Sequence, residues 1–188
     1  MQNVNFTSRI RPVSAKEFSR CITAINRENF VDYPWTVASS RVAKDVGTSY
    51  ICDCTGVLVT TGEKALMKHL NPAIEENHNF KKSEKYISDN IDLKHEDVQA
   101  LVVGSNPKDA ESADIFNKFI NFFNGYKIPT TVLKNGLAPT NIAYRSCTDE
   151  VIVSNKKIDD AIQRGKTALE ALCSGFEEVK IAECDYVA

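Results

Sequence analysis

The chain has 188 residues, of which 43% are hydrophobic and 26% are charged, as in an ordinary globular domain. The formal net charge of −2 and the lack of a long lysine and arginine cluster argue against nucleic-acid binding. No run of about 18 apolar residues occurs, so we expect no membrane-spanning segment. The segment from Met1 to Pro12 is polar and lacks the apolar core of a signal peptide. This predicts a cytoplasmic protein, or an effector that is secreted without a cleaved signal.

The first 45 residues are predicted to form an N-terminal extension that carries one helix. Ser14 and Glu17 match the capping box, in which the two residues bond to each other's backbone N–H groups. Apolar residues then recur at helical spacing, which predicts an amphipathic helix over residues 14–27 with Cys21 on its buried face. A strand over residues 35–39 follows.

Residues 46–72 read as a β-hairpin. Two short apolar runs are joined by polar residues and a glycine, and glycine adopts positive φ at little cost in such turns. If Thr61 and Gly62 form the turn, Cys54 faces His69 on the neighbouring strand. Directly opposed residues in an antiparallel pair have Cβ atoms roughly 4.5–5.5 Å apart. A thiol and an imidazole at that spacing can share a proton.

The remaining elements alternate between helices and strands. We expect a short helix capped by Ser83, a buried strand over residues 98–103, and a strongly apolar helix over residues 113–124 that stops at Gly125. After these we expect a strand at 128–133, a hairpin of 142–145 and 150–154, a long helix at 158–174, and a final strand at 179–187.

The pattern as a whole predicts one domain of the α/β (α+β) class. The core is a mixed or antiparallel sheet, or a sandwich, built on hairpins with flanking helices. Within that domain, residues 1–45 form the extension, residues 46–155 the core, and residues 156–188 a C-terminal helix and strand.

The pair of Cys54 and His69 suggests nucleophilic catalysis. A thiol reacts as its thiolate, and a neighbouring imidazole lowers the thiol pKa by taking its proton. A third polar group usually fixes the orientation of the imidazole, and the candidates are Thr48, Asp53 and Asn71. The small residue and the glycine that follow the cysteine would let backbone N–H groups approach a developing oxyanion.

Two other interpretations of the same residues stay open. Cys54 and His69 could simply be packed side chains of the core. Cys52 shares the predicted strand with Cys54 and points to the same side, so the two thiols and His69 could also bind a metal with Cys147 or Cys184 as fourth ligand. Structural zinc sites usually space paired cysteines by about two to four residues, which makes Cys-x-Cys unusual.

The order of Cys54, His69 and Pro72 resembles the cysteine-dependent protein glutamine deamidases. This family includes the chemoreceptor deamidase CheD and the catalytic domains of the cytotoxic necrotizing factor toxins. Its members carry a cysteine after a short strand and a histidine on the next strand, often with a proline just beyond. In CheD a threonine shortly before the cysteine orients the histidine, and Thr48 stands at the matching place. The order of elements in residues 46–155 also follows that of CheD.

This resemblance implies a protein-glutamine deamidase that uses Cys54, His69 and Thr48. The Cys54 thiolate would attack the glutamine carboxamide, His69 would help ammonia to leave, and water would hydrolyse the thioester. The implied partner is a protein with an exposed glutamine, reached through loops 73–82 and 135–141. No cofactor, metal, nucleic acid or membrane partner is expected. The rival hypotheses are a non-catalytic interaction module of the same fold and a thiol peptidase or transglutaminase-like enzyme.

Overall fold

A computed structural model describes residues 8–22, 25, 29–31, 39–72, 77–104, 106–135, 138–155 and 185–187. In these residues the chain forms two mixed β-sheets that pack face to face, with helices against their outer faces. The predicted mixed α+β class is therefore confirmed. The predicted helix at 158–174 lies outside the described residues, and so does all but the last residue of the predicted strand at 35–39.

The described residues form three α-helices and eleven strands. In order they are β1 (Arg9–Pro12), α1 (Ala15–Ile22), β2 (Phe30–Val31), β3 (Ser39–Ala43), β4 (Val46–Ile51), β5 (Thr55–Thr60), β6 (Ala65–Leu70), α2 (Asn77–Asn90), β7 (Gln99–Gly104), α3 (Ala110–Tyr126), β8 (Thr130–Lys134), β9 (Thr140–Arg145), β10 (Glu150–Asn155) and β11 (Asp185–Val187). The predicted hairpin of β9 and β10 is confirmed, and a single 3₁₀ turn, Ser146–Thr148, connects the two strands.

The first sheet has the strand order β1-β10-β9-β4-β2, and the second has the order β11-β8-β7-β5-β6-β3. Both are mixed, because β1 runs parallel to β10, β2 parallel to β4, and β7 parallel to β8, whereas the other pairs are antiparallel. The residues predicted as an N-terminal extension thus supply β1 and β2 to the first sheet and β3 to the second.

Strand β5 is buried on both faces, which explains why its sequence is apolar without alternation. Val57 and Val59 pack towards α2 and α3, where Phe80 meets Phe119 edge to face with ring centroids 4.9 Å apart. Leu58 points the other way, into the layer between the two sheets. A third apolar cluster lies where α1 covers the outer face of the first sheet.

The start of α1 agrees with the predicted cap. The Glu17 backbone N–H donates to Ser14 Oγ at 3.2 Å, and the Phe18 N–H donates to the Ser14 carbonyl at 2.8 Å. Cys21 is half-buried and packs against the cluster beneath this helix, as its helical position predicts.

The ends of the other two helices differ from the prediction. Helix α2 begins at Asn77, so Ser83 lies buried inside it and does not cap it. Helix α3 begins earlier than predicted because the Asp109 carboxylate accepts from two backbone N–H groups of its first turn. It runs through Gly125 and ends where Lys127 adopts φ 60. In the described part of the chain, no helix is long and apolar enough to cross a membrane.

The β5–β6 hairpin forms, but its predicted register is wrong. The turn is centred on Gly62 and Glu63, with the Thr61 N–H donating to the Lys64 carbonyl at 3.0 Å. Gly62 has φ 78, and the first central position is the glycine position of a type II′ turn. Centring the turn there moves every cross-strand pair by two residues.

Candidate functional site

The segment of Cys52, Asp53 and Cys54 links the two sheets. Strand β4 ends in the first sheet and β5 begins in the second, so the prediction that both cysteines share one strand is wrong. The chain leaves β4 through an irregular stretch in which Tyr50 has φ 63, a conformation that side-chain-bearing residues rarely adopt. We call residues 52–54 the intersheet link.

His69 and Thr48 meet in the layer between the sheets. His69 comes from β6 and Thr48 from β4, and both side chains are fully buried. Thr48 Oγ1 lies 2.8 Å from His69 Nδ1 and donates to the Val31 carbonyl at 3.0 Å. A threonine hydroxyl has one proton, and a carbonyl can only accept. His69 Nδ1 must therefore be the donor to Thr48, which leaves the lone pair of the neutral ring on Nε2.

Cys54 does not oppose His69 directly, although both belong to the layer between the sheets. The register pairs His69 with Gly56, and Cys54 is two residues before Gly56. Such diagonal neighbours have Cα atoms about 7–8 Å apart, within reach of longer side chains. The space that Gly56 leaves is occupied by Ile51, whose Cδ1 would lie 2.3 Å from an added Cβ. Gly56 thus leaves room for Ile51 to pack, and its role beside an oxyanion stays a prediction.

Burial keeps both groups neutral at rest. Cys54 is 3% exposed. Its burial, followed by the charges of Asp53 and Cys52, raises the thiol pKa to about 12. Burial alone lowers the pKa of His69 to about 3. Low polarity disfavours both charges, so the surroundings favour a neutral thiol and a neutral imidazole over the ion pair that the two residues could form. Any proton transfer between them must accompany bond formation.

The other two candidates for the third group have surroundings that differ from those of Thr48. Asp53 is exposed, and its Oδ1 accepts from Asn106 Nδ2 at 3.0 Å. Asn71 is half-buried and follows the last residue of β6. Of the three candidates, the structure places Thr48 in hydrogen-bond contact with His69 Nδ1.

The metal-binding alternative is not assembled in the described residues. Cys147 is exposed in the turn between β9 and β10, beside the Gly62–Lys64 turn. That turn follows the end of β5, whereas Cys54 precedes its start. Among the residues that the structure describes, no three His, Cys, Asp or Glu side chains come together in a way that could hold an ion. Cys184 lies outside them.

Three asparagines that the sequence analysis did not single out hold the intersheet link and the end of β4. Asn135 Nδ2 donates to the Ile51 carbonyl at 2.7 Å, and Asn141 Oδ1 accepts from the Tyr50 N–H at 3.1 Å. Asn106 bonds to Asp53, as described above. Their places in the sequence could have identified two of them. Asn106 and Asn135 come just after β7 and β8, two parallel strands whose ends lie at one edge of the sheet.

Gly104 brings a second stretch of backbone against the intersheet link. A Cβ at this position would lie 2.5 Å from the Cys54 carbonyl oxygen, and the residue has φ 140. Both facts require glycine, because a side chain would collide with the backbone and would also be strained. The carbonyl of Gly104 accepts from the Asn135 N–H at 3.2 Å.

Comparison with known proteins adds no relative. No protein-family model matches the chain, and a search of curated proteins finds no match either.

Proposed function

We propose that this chain is a cysteine-dependent protein-glutamine deamidase with Cys54 as nucleophile, His69 as general acid and base, and Thr48 as the group that orients His69. The supporting observation is the chain of hydrogen bonds from His69 Nδ1 through Thr48 Oγ1 to the Val31 carbonyl. It fixes the ring and its tautomer, and it puts a basic nitrogen in the layer that also contains Cys54.

The first half of the reaction forms a thioester. The Cys54 sulfur attacks the carboxamide carbon of a substrate glutamine while His69 Nε2 takes the thiol proton. The tetrahedral intermediate then collapses as the C–N bond breaks. His69 returns the proton to the departing nitrogen, and ammonia leaves.

The second half restores the enzyme. Water attacks the thioester carbon while His69 Nε2 takes one of its protons, and the C–S bond breaks. The proton returns to the Cys54 sulfur, and the substrate side chain leaves as glutamate. Replacement of a neutral amide by a carboxylate adds one negative charge to the partner's surface.

The neutral hydroxyl of Thr48 suits this cycle. Burial lowers the pKa of His69, which disfavours a resting imidazolium, and an imidazolium formed during the reaction returns its proton to the departing nitrogen. Thr48 therefore orients the ring without stabilising its cation.

The burial of Cys54 favours the rival hypothesis of a non-catalytic interaction module. A thiol that is 3% exposed with a raised pKa is also what an inert core cysteine shows. The thiol peptidase or transglutaminase-like enzyme uses the same pair and differs in the bond cleaved or the acceptor. One set of assays separates all of these.

The test uses glutamine-containing proteins and peptides as substrates for the whole chain. Ammonia release together with a mass gain of about one unit at glutamine, lost in Cys54→Ser and His69→Gln, supports deamidation. Cys147→Ser is the matched control, because that thiol is exposed and remote from the link. Peptide cleavage would indicate a peptidase, and incorporation of an added amine a transglutaminase. Equal inactivity of the wild type and Cys54→Ser on every substrate would favour the interaction module.

A further inference from the structure

Asn135 connects three elements around the intersheet link. Its backbone N–H donates to the Gly104 carbonyl at the end of β7. Its side-chain Nδ2 donates to the Ile51 carbonyl at the end of β4 at 2.7 Å and to Thr140 Oγ1 at the start of β9 at 3.2 Å. The residue itself is 8% exposed. A single buried amide thus ties the second sheet to the first next to Cys54.

The orientation of this amide is set by its partner. The Ile51 carbonyl can only accept a hydrogen bond, so the nitrogen and not the oxygen of Asn135 must face it. An aspartate has nearly the same shape but no donor, and its carboxylate would face the carbonyl oxygen with the same sign of charge. Position 135 therefore requires the N–H donor of an amide, and not only a side chain of the size of asparagine.

Both ends of the intersheet link depend on Asn135. Ile51 is the last residue of β4 before the link, and it follows Tyr50 with its unfavourable φ of 63. Gly104, the other partner of Asn135, lies against the carbonyl of Cys54 at the far end of the link. A strained segment keeps one conformation only where its surroundings hold it, and here Asn135 holds it from both sides.

We infer that Asn135 is a positioning residue for Cys54. It fixes the intersheet link in the one conformation that directs the thiol into the layer occupied by His69 and Thr48. The effect of Asn135 on the conformation of the link does not depend on the protein's activity, whereas its effect on kcat rests on the proposed deamidase function. Asn135 does not touch the reacting atoms: its side chain acts through the Ile51 carbonyl, and its backbone N–H adds the bond to Gly104.

The test compares Asn135→Asp with Asn90→Asp in the whole chain. Asn90 Nδ2 also donates to a backbone carbonyl, that of Tyr86 in α2, at 2.8 Å, so the control makes the same chemical change away from the link. Iodoacetamide labelling, resolved by residue with mass spectrometry, reports the accessibility of Cys54. The exposed Cys147 serves as an internal reference for reagent and time.

Asn135→Asp is expected to raise Cys54 labelling relative to Cys147 by about tenfold, because a buried acceptor loses its donor and the link is released. This increase should not depend on urea below the unfolding transition, since local release exposes little surface. With a substrate in hand, kcat for ammonia release should fall about a hundredfold while KM stays within about twofold. Asn90→Asp should change none of these values.

Two results would overturn the inference. One is Cys54 labelling in Asn135→Asp equal to that of the wild type. The other is an increase that grows steeply with urea, which would show global destabilisation and a merely structural role. If Asn135→Asp does not fold, Asn135→Ala removes the donor without adding charge and replaces it in the same measurements. Labelling needs no substrate, so a chain that deamidates nothing would refute the proposed function while labelling still decides the role of Asn135.

Discussion

At the turn end of the β5–β6 hairpin, Thr61 and Lys64 bond to each other, and Gly62 has open space around it. At the opposite end, Cys54 of the intersheet link is buried, and the link and the end of β4 are held by side chains from the loops after β7 and β8 and from β9. The first end is stabilised by residues adjacent in sequence. The second requires unfavourable backbone angles at Tyr50 and a close backbone approach at Gly104.

This difference supports placing the proposed site at the link end of the hairpin. Strained backbone and buried polar contacts persist only where surrounding elements hold them, and they concentrate at functional sites. The turn end has an exposed cysteine, Cys147, nearby, and the link end has a buried one, Cys54. The two ends therefore provide matched pairs of residues for experiments.

The largest expected effect is on the free energy of unfolding when the glycine at each end is replaced by alanine. Gly104→Ala should lower the free energy of unfolding by about 3 kcal/mol, because the new Cβ meets the Cys54 carbonyl at 2.5 Å and the backbone is at φ 140. Gly62→Ala should lower it by only about 1 kcal/mol, since nothing lies within 4 Å and only the positive φ opposes the change. Urea unfolding of both variants measures this difference, and equal losses would contradict the contrast between the two ends.

Next in size is the effect of Thr48. Thr48→Val keeps the shape of the side chain but removes the bonds to His69 Nδ1 and the Val31 carbonyl. We expect kcat for deamidation to fall by about tenfold to a hundredfold, as when other orienting partners of a histidine are lost. Thr48→Ser keeps the hydroxyl and should retain most of the activity. Similar losses in both variants would show that packing by the methyl group, and not orientation of the ring, is what matters.

Per pH unit, the smallest effect is the dependence of stability on pH. The pKa of His69 is lowered to about 3 from its ordinary 6.5, so between these values the unfolded chain binds the proton and the folded chain does not. Stability from this burial is complete above about pH 6.5 and is lost as the pH falls towards 3, on the order of 1 kcal/mol per pH unit.

Urea unfolding at a series of pH values separates the two kinds of histidine. His69→Gln should lose this part of the acid dependence, whereas His95→Gln should keep it, because His95 is exposed at the surface. If the wild type and His69→Gln show the same acid dependence, His69 is not buried in its neutral form, and the tautomer derived from Thr48 would have to be abandoned.

Features that depend on neighbours in sequence could be predicted. The Ser14 cap, the β9–β10 hairpin and the apolar strand β5 all follow from local patterns, and the structure has each of them. The register of the β5–β6 hairpin could not be fixed, because Thr61-Gly62 and Gly62-Glu63 are both acceptable turn centres and differ by one residue. A choice between them moves Cys54 from a direct to a diagonal neighbour of His69.

The contacts that hold the intersheet link could not be predicted from local sequence patterns. Asn135 is 84 residues from Ile51, and Asn141 is 91 residues from Tyr50, so no spacing rule connects them. The extended pattern through Cys52 and Cys54 also gives no sign that the chain changes sheets there. By contrast, the contact of Thr48 with His69 follows the place that the resemblance to CheD implied for a threonine, whereas its catalytic role stays a prediction.

The parallel pairing of β1 with β10 has a consequence for synthesis of the chain. Strand β1 leaves the ribosome well before its partner, which begins at Glu150, and the Arg11–Glu150 ion pair joins residues 139 positions apart. The first sheet therefore cannot be completed until residues 150–155 have been made, and such distant pairings form slowly. Until then the nascent chain lacks the β9–β10 hairpin, and the edge of β4 that pairs with β9 stays open to chaperones.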